Sequence, residues 1–261
     1  MKLLRQRKFE NGMVYALQTD DKYPIEVTDT FLPFYTKDAI GRKQNMLKGY
    51  EVGDRNERWM VGVSVASGCP VHCKFCATGT LKRWRNLTAE EIVEQVKFVL
   101  SNNVDFFPFN AKEFKINYSR MGDSFLNVEN VRKAIEEIEK FFPGTHHYIS
   151  TIGIKGSDFS WIKDNISLQI SLHSLDDERR NILIPYKNKM TIEELGQIRT
   201  KSRLKTTVNM TLVDEKDFDI NKLKKYFDPK YFFIKISPIN QNKISICNQL
   251  GAGIVKAMNL V

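Results

Sequence analysis

At 261 residues, with 42% hydrophobic and 27% charged side chains, the chain has apolar material for one large α/β core, or a core with a small appendage. It contains no apolar run near the roughly eighteen residues of a membrane span, and Met1–Lys8 has no apolar stretch long enough for a signal peptide. Forty Lys and Arg against 31 Asp and Glu leave a net charge of +9; this favours polyanions, nucleic acid first, although a solvated lysine-rich surface gives the same balance.

Residues 1–57 read as a small β-rich extension, with short β-type runs at Met13–Gln18, Ile25–Thr30 and Phe31–Tyr35 between polar turns. From residue 61, short β-rich runs alternate with helical ones. Val61–Ala66 reads as a strand that empties into a cysteine loop. Thr88-Ala-Glu-Glu91 is a capping box, and Ile92, Val93, Val96 and Val99 form the apolar face of the helix it opens. Glu113–Tyr118 is the next strand; Val128, Val131, Ile135 and Ile138 then recur at helical spacing until Pro143-Gly144. His147–Ile152 and Ser167–Leu172 read as strands, Thr191–Ser202 as a helix behind a second capping box at Thr191 and Glu194, and Thr206–Leu212 as a fifth strand. Helical residues 218–226 lead to a sixth, Tyr231–Ile236.

Six β-α repeats predict an α/β fold, a parallel sheet with helices outside it. The near-continuous apolar strands fit a sheet buried on both faces. Six units are too few for a closed eightfold barrel. The expected architecture is an open, partial (β/α)6 TIM-type barrel over residues 58–261, including a C-terminal segment.

Three of the four cysteines, Cys69, Cys73 and Cys76, fall within eight residues at the spacing C-x3-C-x2-C. Four thiolates would close an iron–sulfur cluster; three leave one iron without a protein ligand. An open position on a bound metal is where an exogenous ligand docks. The alternative, structural zinc, takes four protein ligands, commonly in paired knuckles. Here Cys247 is the only spare thiol, and His72, inside the loop, is expected to face solvent. Clustered thiolates awaiting iron are not a disulfide framework and need a reducing compartment, which makes the cytoplasm the expected location.

In such barrels ligands meet the loops at the C-terminal ends of the strands. Met121–Ser124, Ser150–Gly153, Ser171–His173 and Ser237–Asn240 all fall there. Each alone reads as turn chemistry, and His173 alone as a structural histidine; their common placement on one rim is the signal. Lys82-Arg83-Trp84-Arg85 interleaves basic groups with an aromatic beyond the cysteine loop, which suits phosphate contact with base stacking and equally a solvated basic segment.

The cysteine loop, with Phe75 before its last cysteine, resembles the radical S-adenosylmethionine (SAM) superfamily. Ser67–Gly79, Arg85–Val96 and Ser171–Arg180, running on to Ile184-Pro185, resemble its RlmN/Cfr-type adenine methyltransferases, over about residues 58–240. The resemblance implies a [4Fe–4S] cluster on Cys69, Cys73 and Cys76, with S-adenosyl-L-methionine on the fourth iron. It implies reductive cleavage to methionine and a 5′-deoxyadenosyl radical, fed by a flavodoxin- or ferredoxin-type reductant. It places Phe75 near the adenine, Gly122 and Asp123 on the methionine amino group, and Ser150, Ser171, His173 and Asn240 along the ribose and carboxylate.

The departures are equally specific. The family's Gly-Glu-Pro is Gly122-Asp123-Ser124 here, one methylene shorter at the carboxylate. Family methyl transfer uses two cysteines beyond the cluster, yet the strand entering the loop carries Gly62 and no cysteine, and only Cys247 is left. Cys247-Asn-Gln-Leu250 echoes the family's methyl-carrying segment at the wrong distance from Asn240, and the family's helical accessory domain has no counterpart in the sixty or so residues before the barrel. The expected function is therefore hydrogen abstraction by the deoxyadenosyl radical directly, with a nucleotide or nucleic acid the leading substrate class. Two alternatives are an RNA methyltransferase using Cys247 as methyl carrier, and a non-catalytic iron–sulfur module that binds RNA or a partner.

Overall fold

A computed structural model describes residues 1–31, 36–37, 43–44, 53–214, 217–239 and 242–250. Nine strands form one sheet: β1 (Lys2–Phe9), β2 (Gly12–Gln18), β3 (Pro24–Phe31), β4 (Arg58–Gly62), β5 (Glu113–Tyr118), β6 (His146–Thr151), β7 (Ile166–Ser171), β8 (Thr206–Leu212) and β9 (Phe232–Pro238). Their order in space is their order in the chain. β1 to β4 pair antiparallel; β4 to β9 pair parallel, giving the six-stranded partial barrel. Six α-helices are described: α1 (Ala89–Ser101), α2 (Val128–Phe141), α3 (Asp177–Leu183), α4 (Ile192–Gly196), α5 (Ile220–Tyr226) and α6 (Lys243–Cys247).

Both expected capping boxes are present, with Thr88 and Thr191 accepting from the N–H groups of Glu91 and Glu194. Other boundaries differ for physical reasons. The first parallel strand starts at Arg58, because Trp59 is fully buried and pairs with β5. The helix expected over Thr191–Ser202 stops at Gly196, where the Arg199 guanidinium takes the carbonyls of Gly196 and Ile198. No helix covers β6 to β7; Ile154, Phe159 and Ile162 of an irregular segment fill that place in the core. Strand β1 escapes sequence detection because all eight of its residues are exposed, so it carries no core-facing periodicity. Its one signal is Asn11-Gly12 at the hairpin, where Phe9 pairs with Gly12. Of the β-type run Phe31–Tyr35, Phe31 closes β3 and residues 32–35 lie outside the described residues.

The parallel strands are not buried on both faces. In β6, β7 and β8 buried and half-buried residues alternate without a break. Ile149, Leu168, Ile170, Val208 and Met210 lie in the core, while Ser150, Gln169, Ser171, Asn209 and Thr211 line the concave interior. An open barrel leaves this inner face to solvent or ligand, so it is polar.

The extension joins the barrel through a buried carboxylate. Asp29 on β3 accepts from Arg55 Nε and Nη2 (3.1 and 2.6 Å), Trp59 Nε1 (2.8 Å) and Asn103 Nδ2 (3.0 Å). Tyr15 of β2 meets Phe98 of α1 edge to face at 5.2 Å, so the same helix covers both regions. Removing one member of a buried, hydrogen-bonded charge pair costs roughly 3–5 kcal/mol. Asp29→Ala should lower the urea-derived unfolding free energy by that amount, and Asp29→Asn by clearly less; a loss under about 1 kcal/mol for the alanine variant would show that the cluster of bonds contributes little.

Candidate metal centre and cofactor rim

The cysteine loop has no ladder of its own, so other elements hold its backbone. At its entry Val65 and Ala66 donate to the Met121 carbonyl (2.9 and 3.1 Å), and Ala66–Ser67 pairs with Arg85–Asn86 to close the neck. Gln95, a polar residue on the apolar face of α1, brackets Ser64 by accepting its N–H (2.8 Å) and donating to its carbonyl (3.0 Å). Buried Asn127 donates to the carbonyls of Val65 (2.8 Å) and Leu87 (2.7 Å). Gly68 turns at φ +73°, and a β-carbon there would lie 2.7 Å from Trp84 Cβ.

Within the loop His72, exposed as expected, bonds through Nδ1 to the Gly79 carbonyl at 2.7 Å. Lys74 N–H donates to the Leu183 carbonyl at the end of α3 (2.9 Å). From the opposite side Asn242 Nδ2 donates to the Phe75 carbonyl (2.9 Å) and Asn248 Nδ2 to the Lys74 carbonyl (2.7 Å). Cys69, Cys73 and Cys76 are partly buried and free of disulfides. Burial pushes the Cys69 thiol up to about 12 and Cys73 well above the usual thiol range; neighbouring Cys76 and Asp123 push both the same way. Such thiols lose their protons only to a bound cation.

Three of the expected rim residues converge on this loop. Phe75 packs edge to face on His173, ring centres 4.7 Å apart. His173 sits at φ +64°, and its Nδ1 accepts the Thr211 N–H at 3.0 Å, which leaves Nε2–H as the ring's donor. Burial, and then the Arg180 charge, hold its pKa down to about 3, so the ring is neutral. Asp123 is buried; its carboxylate accepts from the N–H groups of Phe125 (2.9 Å) and Ile152 (2.7 Å), and burial lifts it to about 6. Gly122 has φ +93°, and a β-carbon there would meet Ala66 Cβ at 2.7 Å, so no side chain fits between the two loops.

Ser150 and Ser171 stand on the concave face, opposite Gln169 and Asn209 respectively. Ser124 Oγ donates to the Tyr118 carbonyl (3.0 Å) and accepts from Ser150 N–H (3.4 Å), tying the ends of β5 and β6 together. Asn240 lies outside the described residues. Arg85 is not available to a ligand, because Asp21 and Glu91 each bind its guanidinium at 2.6 Å; Trp84 remains 46% exposed. Sequence reasoning missed Asn242, Asn248, Asn127 and Arg180. Gln95 alone carried a usable signal, a polar residue at a core position of an amphipathic helix.

The family model of the radical SAM superfamily matches residues 63–227. The chain belongs to the radical SAM superfamily. Its cofactors are accordingly a [4Fe–4S] cluster and S-adenosyl-L-methionine, and it is an enzyme. It is similar to a probable dual-specificity RNA methyltransferase RlmN of Dictyoglomus turgidum, 39% identical over 144 residues (52% of this chain, 40% of the relative). A second such protein, of Chlorobium phaeobacteroides, is 38% identical over 178 residues (66% and 49%). The chain spans about half the length of the curated relatives it matches. A crystal structure of a radical SAM methyltransferase from Sphaerobacter thermophilus shares the fold, with TM-score 0.71 at 20% identity over 99% of this chain and 72% of that one.

The residues present fit the cluster: three free, partly buried thiols share one loop, and Cys69 and Cys73 each feel Cys76. Among the described residues, no three His, Cys, Asp or Glu side chains converge closely enough to hold a single metal ion. A cube of iron and sulfide instead spreads its cysteines over separate irons. No helix among the described residues is long and apolar enough to cross a membrane.

Neutral His173 makes this radical SAM chain acid-sensitive. Its folded pKa lies below the ordinary 6.5, and His147, held to about 4 mainly by burial, behaves likewise. As pH falls below 6.5 the unfolded chain takes up protons that the folded chain refuses, so stability is lost. Each ring accounts for about 2 kcal/mol between pH 6.5 and 5. Asp123, raised to about 6, works in the opposite sense over part of this window. Urea midpoints at pH 7 and 5 should therefore fall less for His173→Gln than for the wild type; an equal fall would mean that His173 is protonated in the fold.

Proposed function

We propose that this radical SAM enzyme abstracts hydrogen from a substrate carbon presented at the barrel mouth, and that its substrate is a nucleotide carried in nucleic acid. The observation that carries the first half is the loop itself: three partly buried thiols with raised pKa values, braced from both sides and set against Phe75, His173 and Asp123. When bound, the cluster and S-adenosylmethionine supply hydrogen-abstracting radical chemistry. In this reading Cys69, Cys73 and Cys76 ligate three irons, and Phe75 lies against the adenine. Gly122 and Asp123 take the amino group of the cofactor. The Phe125 and Ile152 N–H groups, with the Thr151 hydroxyl and the Leu126 N–H, hold the Asp123 carboxylate in place at the rim. Ser150, Ser171, His173 through its fixed Nε2–H, and Asn240 line the ribose and carboxylate. A flavodoxin- or ferredoxin-type protein delivers the electron.

Anaerobic reconstitution, reduction with dithionite and addition of S-adenosylmethionine should release 5′-deoxyadenosine, and Cys73→Ala should abolish the release. A protein that holds the cluster and releases none would be a non-catalytic binding module.

Nucleic acid is supported by the relatives' named activity and by charge placed on the same concave face. Cross-strand partners share a face. Arg5 and Arg7 of β1 stand opposite Ala16 and Val14, which stand opposite Glu26 and Thr28; Thr28 pairs with Gly62, and Gly62 with Asn117. One face therefore runs from the basic edge strand to the barrel interior. A register shift between Leu3 and Arg5 sets this alternation. In this reading residues 1–57 are an extension that holds the substrate backbone, and residues 58–261 the radical SAM barrel with its C-terminal segment. Single-stranded RNA binding should weaken in Arg5→Gln/Arg7→Gln, and the slope of log affinity against log salt should flatten by about 1.4, two phosphate contacts' worth. Lys224→Gln/Lys225→Gln, the same charge change on α5, should leave the slope unaltered; equal effects would reduce the surface to net charge.

A second reading, an RlmN-like RNA methyltransferase with Cys247 as methyl carrier, is favoured by one observation. Asn242 and Asn248, which flank α6 and its terminal Cys247, are the residues bonded to the cluster loop. Against it stands Gly62, at the strand where the family carries its second thiol: a β-carbon there would lie 2.3 Å from Thr28 Oγ1 and 3.0 Å from Arg120 Cδ.

A further inference from the structure

Arg180 is a fully buried cation. It lies in the middle of α3 with no solvent exposure, its guanidinium donating to the carbonyls of Met190 and Ile152 at 2.6 Å each. Its Nε is buried without an acceptor. The acid that bears on it most is Asp177, whose carboxylate is already engaged by the Ile192 N–H at 3.2 and 3.4 Å; among the described residues Arg180 forms no ion pair. A cation taken out of water costs several kcal/mol unless a counter-charge returns it. Burial lowers its pKa only to about 10, so it stays charged at neutral pH.

The helix that carries Arg180 is tied to the cysteine loop. One turn after Arg180, the Leu183 carbonyl holds the N–H of Lys74, the residue after Cys73. A thiolate at Cys73 would join Asp177 in favouring the Arg180 cation, whereas the nearby His173 ring is neutral. A second cation stands behind it: Lys189 is 7% exposed, its Nζ bonded to Asn181 Oδ1 (2.5 Å) and the Tyr186 carbonyl (3.0 Å), and it too feels both Arg180 and Cys73. Three thiolates around a [4Fe–4S] core leave a net negative charge that grows on reduction. A fixed buried cation favours the more negative, reduced state.

We infer that Arg180, backed by Lys189, is the internal counter-charge of the cluster, a positioning residue that raises the cluster's reduction potential. The inference rests on the cluster reading above. Its test reads potential rather than turnover: EPR-monitored redox titration of the reconstituted full chain, with iron content measured separately. At the potential where wild type is half reduced, Arg180→Gln should show a reduced-to-oxidised ratio at least tenfold lower, about 59 mV for one electron. Arg180→Lys keeps the charge and loses the planar hydrogen bonds, and it should titrate with the wild type. Lys189→Gln should shift the same way by a smaller amount.

The inference is overturned if Arg180→Gln titrates with the wild type, or if Arg180→Lys shifts as far as Arg180→Gln, which would make the role one of shape. If Arg180→Gln fails to fold, Lys189→Gln decides alone, and an unshifted potential there overturns it. A wild-type chain that takes up no iron would instead overturn the cluster reading, leaving its signature in the iron assay rather than in the titration.

Discussion

A loop that keeps three thiols apart can form neither helix nor strand across them, so its peptide groups need partners from elsewhere. In this chain amide side chains supply much of that need. Gln95 brackets Ser64, Asn127 spans Val65 and Leu87, and Asn242 and Asn248 take the carbonyls of Phe75 and Lys74. An amide bonds backbone donors and acceptors without bringing charge, and it stays neutral across the working pH range. A carboxylate or lysine in the same places would bias the electrostatics of the cluster and would be costly to bury. The site is thus held by neutral hydrogen bonds from α1, the start of α2 and both sides of α6. Among its buried charges are Asp123 and the two cations behind Cys73.

The second organising fact is the polarity of the barrel interior. Alternation along β6 to β8 sends every second residue inward, and apart from His146 and Tyr148 at the start of β6 these are Ser, Gln, Asn and Thr. Ser150 faces Gln169 and Ser171 faces Asn209 across neighbouring strands, so the inner wall offers paired hydroxyl and amide groups along its length. This surface suits a ligand with many oxygen and nitrogen atoms. It connects at one end to the cofactor rim and at the other to the exposed basic strand.

The departures from the RlmN-type pattern have structural counterparts. Where the family has proline, Ser124 bonds two strands together, and the shorter Asp123 is fixed by two backbone amides. At Gly62, Thr28 and Arg120 occupy the space a side chain would need; Arg120 is itself ion-paired with Glu26 of the same extension strand. Thr28 of the antiparallel extension therefore stands where a side chain at position 62 would begin.

The cysteine spacing, both capping boxes and the β-α rhythm were legible in sequence because they are local: ligand spacing, N-cap chemistry and hydrophobic period act within a few residues of one another. So was the common placement of Gly122, Asp123, Ser150, Ser171 and His173 at strand ends. Strand β1 was not legible, because an edge strand exposed on every side chain is specified by its partner strand rather than by its own pattern. Nor were the amides that brace the loop, or Arg180 beneath it, since Asn242 reaches Phe75 across 167 residues of chain. The sequence by itself determined which thiols share one loop and which way the chain alternates. Tertiary structure alone decided which peptide groups and charges surround those atoms, because hydrogen bonding and Coulomb energy depend on distance in space rather than along the chain.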